Sequence, residues 1–104
     1  MVKEIKAEEF EKEIEQKEVV LVDFYGNWCM PCKMLSGILD KVNVTLEEKI
    51  NILKVDVDAS VDLVKKYGVL TTPTLIVLKN GEEVEKAVGF RQEKQVVEMV
   101  SKYL

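Results

Sequence analysis

The chain has 104 residues, 47% hydrophobic and 33% charged, with 15 Lys and Arg against 19 Asp and Glu. That length fits a single domain, residues 1–104, able to bury a core without metal or disulfide staples. The formal charge of −4 and the lack of any Lys/Arg stripe argue against nucleic acid as a partner, and no apolar run approaches transmembrane length, so no membrane role is expected. The opening MVKEIKAEEFEKEIEQ is charged rather than signal-like, so the expected location is cytoplasmic, where thiols are kept reduced.

In chain order, residues 2–5 read as a short strand and 7–16 as a helix with Phe10 and Ile14 on one face. Residues 19–25, VVLVDFY, form a nearly continuous apolar run, the pattern of a strand buried on both faces. A helix is expected from 31 to about 46, with Leu35, Ile38, Leu39, Val42 and Leu46 as its apolar stripe. A second buried strand covers 50–57, and a short helix, 62–67, is closed by Gly68. Residues 74–79 and 82–88 flank Asn80-Gly81, a pair suited to the two positive-φ positions of a tight hairpin turn. The last helix, 92–103, carries Val96, Val97, Val100 and Leu104.

Strand 19–25, helix 31–46 and strand 50–57 make a βαβ unit, which should be parallel and right-handed. The hairpin adds antiparallel pairing. The fold class is therefore α/β, with a mixed sheet between helices.

Both cysteines of the chain lie in Trp28-Cys29-Met30-Pro31-Cys32-Lys33, between a buried strand and a helix. Pro31 lacks an N–H and belongs in the first helical turn, where that donor is spare. Met30 precedes a proline and is biased away from helical backbone angles. Cys29 then sits at the helix start and Cys32 in the first turn, close enough for a reversible disulfide. Free N–H groups and the helix dipole favour the thiolate of Cys29, so Cys29 is the attacking thiol and Cys32 the resolving one. A zinc site needs four ligands, and this chain has no histidine and no third cysteine. A metal held between chains and a pair of inert core thiols are the alternative readings.

Over nearly its whole length the sequence resembles the thioredoxin family, through VLVDFYGNWCMPCKML, ILKVDVD, KYGVLTTPTLIVLKNGE and VGF. The resemblance implies the thioredoxin fold, a central mixed five-stranded sheet flanked by four helices. It implies a thiol–disulfide oxidoreductase that reduces disulfide-containing proteins by exchange through Cys29 and Cys32. Recycling by a thioredoxin reductase, a monomeric state and the absence of any cofactor or metal are further implications.

Asp23 interrupts an apolar strand, and by itself could be a strand-end residue that caps the next turn. The resemblance places it buried behind the cysteines, where its raised pKa suits it to take the proton of Cys32. Lys54 is by resemblance the cation near Asp23, or else a sheet-edge lysine with a solvated head. An X–Pro bond is trans by default, whereas the resemblance makes Thr72–Pro73 cis and packs Pro73 beside the disulfide. The backbone of Thr72 would then pair with an extended substrate strand. Trp28, Pro31, Pro73 and Gly89 complete the implied substrate surface, although Gly89 equally reads as a strand-ending glycine.

Met30 stands where the family motif usually has Gly, which leaves the redox balance to be measured. Pro31 stands where isomerases of this fold carry His, which disfavours that activity. Gly37 replaces a common helix-kinking proline, and Gly26 replaces the usual Ala, an exchange expected to loosen the approach to Trp28. Asn43-Val44-Thr45 matches a glycosylation sequon but lies on an expected helix. An oxidant of the same fold and a non-catalytic docking subunit remain the rival functions.

Overall fold

The computed structural model describes residues 1–104. The run Val19–Tyr25 (β2) is buried on both faces because it lies mid-sheet and is covered above and below. The sheet has five strands in the order β1-β3-β2-β4-β5, with β1 at Val2–Glu4, β3 at Asn51–Asp56, β4 at Thr74–Lys79 and β5 at Glu82–Val88. β1 and β2 run parallel to β3, and β4 runs antiparallel to β2 and to β5. The helices are α1 (Phe10–Glu13), α2 (Met30–Thr45), α3 (Val61–Lys66) and α4 (Glu93–Ser101).

Strand residues alternate between faces, and this divides the core in two. Val19 and Leu21 pack with Leu35, Leu39 and Val42 of α2 and with Val96 and Val100 of α4. Val20, Val22 and Phe24 pack with Phe10 and Ile14 and with Leu63 and Tyr67 of the α3 region. Tyr67 ties the second layer together, its ring centroid 5.7 Å from Phe10 and 6.1 Å from Phe24. The same alternation turns Asp23 toward α2, on the side of Leu21.

The hairpin turn has Asn80 at φ +51 and Gly81 at φ +83, as a two-residue loop between right-twisted strands requires. Three expectations are corrected. The first helical segment is a 3-10 turn, Ala7–Glu9, followed by four α-helical residues rather than a helix over 7–16. Only Phe10 and Ile14 of that segment find a buried seat, and so short a helix has little stability of its own. The last helix ends at Ser101, which leaves Leu104 55% exposed, and Met99 takes the buried position instead. The α2 helix starts at Met30, so Pro31 is its second residue. All the first N–H groups of a helix lack internal partners, so proline fits there equally well.

Candidate active site

Cys29 is the N-cap of α2, in extended conformation at φ −94 and ψ 108, and its sulfur accepts the Cys32 N–H at 3.3 Å. Cys29 and Cys32 are joined as a disulfide with Cα atoms 5.3 Å apart. Both are buried at 5% and 3% exposure, so the pair is approached only along its rim. The N–H of Cys29 donates to Gly26 O at 3.1 Å and that of Lys33 to Cys29 O at 3.3 Å, which anchors the redox loop to β2 and to the helix.

On one side of the disulfide lies the segment before β4. The Thr72–Pro73 bond is cis, Pro73 is buried, and the Thr72 carbonyl oxygen stands 3.6 Å from Cys29 Sγ. Gly89, at φ +93, both ends β5 and donates its N–H to Pro73 O at 2.8 Å. A groove of about 250 Å³ continues from here between Trp28, Val57, Asp58, Val69, Leu70 and Thr72. Its rim is apolar and open, with Trp28 70% and Leu70 95% exposed. Met30 and Pro31 are exposed at the helix start beside it.

The indole of Trp28 donates to Asp58 Oδ2 at 3.3 Å, while Asn27 donates to Asp56 Oδ2 at 3.0 Å. Asp56 Oδ1 in turn accepts the Asp58 N–H at 2.9 Å. The turn after β3 thereby holds the two residues before Cys29. Gly26 does not loosen this arrangement. A β-carbon there would stand 2.8 Å from Cε2 of Trp28, so glycine is what allows the indole to lie against the backbone.

The other side of the disulfide is polar. A cleft of about 230 Å³ is lined by Cys32, Ser36, Lys54, Tyr25, Glu4 and Lys33 among others. Tyr25 donates its hydroxyl to Glu4, and Lys54 Nζ donates to Ser36 Oγ at 2.5 Å and lies 5.5 Å from the Tyr25 ring centroid. Asp23 sits deeper, fully buried in mid-strand, and neither of its oxygens has a protein hydrogen-bond partner. It is therefore no turn cap. Burial raises its pKa from 3.8 to about 7, against a smaller opposing pull from Lys54.

Lys54 is half-buried on β3, which is not an edge strand, and it is the register partner of Asp23. Its ammonium nevertheless goes to Ser36 and makes no ion pair with Asp23. Sequence reading overlooked Ser36 and Asp58. The first was detectable, since residue 36 lies one helical turn beyond Cys32; the second carried no signal. A surface depression of about 540 Å³ beside Met1, Lys3 and Glu13 is lined mainly by charged and polar side chains and contains no thiol or hydroxyl side chain.

Comparison with known proteins agrees with this geometry. The thioredoxin family model matches residues 1–102. Thioredoxin of Bacillus subtilis strain 168 is 45% identical over 86 residues, 83% of either chain. That of Rickettsia bellii is 37% identical over 93 residues, 88% of this chain and 89% of its own. Among solved structures, a mutant thioredoxin from Halobacterium salinarum NRC-1 superposes with a TM-score of 0.89 at 33% identity, covering 98% of this chain and 89% of its own. With a disulfide at the start of α2, a cis-proline segment against it and a family match spanning residues 1–102, the chain belongs to the thioredoxin family and is a thiol–disulfide oxidoreductase.

Proposed function

We propose that this oxidoreductase works as a single-domain, monomeric reductant of protein disulfides in the cytoplasm, recycled by a thioredoxin reductase. The observation that carries the reading is the asymmetry of the two sulfurs. Cys29 caps the helix beside the open groove, whereas Cys32 lies inside and borders the cleft above Asp23.

The Cys29 thiolate, favoured by the N–H groups of α2, attacks one sulfur of a substrate disulfide. That bond breaks, its second sulfur leaves as a thiolate, and a Cys29–substrate disulfide forms. Asp23 takes the proton from Cys32, directly or through one water. The Cys32 thiolate then attacks Cys29 Sγ, releases the substrate's remaining thiolate and closes the Cys29–Cys32 bond. Two electrons pass to the substrate, and a reductase supplies two more to restore the dithiol.

The Thr72 backbone, aligned beside Cys29, supports binding of an extended substrate strand through main-chain hydrogen bonds. Exposed Trp28, Met30 and Leu70 offer apolar contact to many transient partners. Lys54 favours the ionised, proton-accepting form of Asp23, a smaller effect than the burial that opposes it. No helix is long and apolar enough to cross a membrane, and neither membrane nor nucleic acid is assigned as a partner. The chemistry needs no metal or cofactor on this chain.

Trapping tests the assignment. Cys32→Ser is expected to accumulate mixed disulfides through Cys29 when exposed to oxidised protein substrates, and Cys29→Ser to accumulate few. Better trapping by Cys29→Ser would reverse the two roles. A redox titration giving a potential well above the glutathione pool, roughly −220 to −260 mV, would make the protein an oxidant instead.

A further inference from the structure

One row of side chains crosses the sheet beneath the start of α2. Register places Glu4 beside Lys54, Lys54 beside Asp23 and Asp23 beside Leu75. A lysine between two acids would ordinarily bridge to one of them. Here Glu4 is engaged with the Tyr25 hydroxyl, and the Lys54 ammonium reaches up to the Ser36 hydroxyl of α2 at 2.5 Å. Asp23 is left with both oxygens unpartnered by protein. Ser36 stands one turn beyond Cys32, so the group that holds the lysine shares a helix face with the resolving thiol.

We propose that Ser36 is a positioning residue for the resolving step: its hydroxyl holds the Lys54 ammonium on α2, away from the Asp23 carboxyl. The mechanistic half of this assignment rests on Asp23 acting as the base for Cys32. An ion pair with Lys54 would favour the ionised carboxylate and weaken it as a proton acceptor. Held at Ser36, the lysine leaves undiminished the basicity that burial gives the Asp23 carboxylate, which becomes neutral as it takes the Cys32 proton. Ser36 also keeps the ammonium in the cleft that Cys32 lines.

The ionisable groups around the carboxyl are few. Lys54 approaches from β3, Cys32 and Lys33 from α2, Tyr25 from β2 itself and Glu4 from β1, while β4 contributes only Leu75 at this level. Tyr25 is held protonated by burial and by Glu4. Among the cations, Lys54 is the one in register with Asp23.

The test is Ser36→Ala, a change that also suits a helix. Titration of the Asp23 side-chain carboxyl by carbon-13 NMR is expected to move down by about one pH unit or more, the effect of a nearby opposite charge. Lys54→Met removes the cation, and in that background Ser36→Ala should leave the titration where it is. The resolving step is read separately, as stopped-flow release of thionitrobenzoate preloaded on Cys29, and its pH profile should shift to lower pH with the carboxyl. A titration unmoved by Ser36→Ala, or moved equally without Lys54, overturns the hold of Ser36 on the lysine. A titration that moves while the release profile stays put upholds that hold but removes Asp23 from the step, so the two readings fail separately.

Discussion

The indole of Trp28 lies on Gly26, with Cε2 only 2.8 Å from the point where a β-carbon of residue 26 would be. No side chain fits beneath it. Gly26→Ala should therefore push the ring outward and break its bond to Asp58. Trp28 is the sole tryptophan, so its fluorescence reports the displacement directly. Because the ring is 70% exposed and free to swing, stability should change by less than about 1 kcal/mol. Reduction of a protein substrate should show a several-fold higher KM, since the groove loses its wall. Unchanged emission together with unchanged KM would mean that the ring position is immaterial to binding.

Asp23 should make the protein less stable as pH rises. Its carboxyl titrates near 7 in the fold against 3.8 otherwise, so between those values the folded state holds a proton that the unfolded chain has released. Stabilisation linked to this group is complete at low pH and lost as pH climbs to about 7. Asp23→Asn keeps the shape and removes the linkage. The variant should gain on the natural protein steadily from pH 4 to 7 and hold the gain above that. At about 1.4 kcal/mol per pH unit, the upper limit is ~4 kcal/mol. Denaturant unfolding across pH measures it, and a difference that does not vary with pH would show that Asp23 titrates normally. Substrate reduction should slow in the same variant.

The Met30 side chain stands in solvent over the helix start, 64% exposed. Met30→Gly should leave the fold intact and raise the reduction potential. The reduced loop would gain backbone freedom that the closed disulfide withholds, which favours the dithiol form. A tenfold change in the equilibrium is about 30 mV, and a rise on the order of 10–30 mV is expected in a glutathione titration. An unchanged or lower potential would show that methionine here is neutral or favours reduction.

Much of this molecule was legible in one dimension. Strand β2 announces itself because a strand covered on both faces must be apolar at every position, and the hairpin because Asn80-Gly81 is one of few pairs that accept two positive φ angles. The redox pair is equally local: three residues of spacing, a proline and a helix start bring Cys29 and Cys32 within bonding reach. Those features depend on neighbours in the chain, and short-range sterics decide them. Other features depend on which strands became neighbours. The α1 segment has a helical pattern, yet only as much helix forms as Phe10 and Ile14 can pin to the sheet. Thr72 meets Cys29 across 43 residues of chain. The depth of Asp23 follows from β3 and β4 closing on either side of β2, and the choice of Lys54 between Asp23 and Ser36 follows from α2 crossing above that row. A lone acid in an apolar run is a sequence fact; its protonation is decided by the dielectric and the charges that tertiary packing assembles around it.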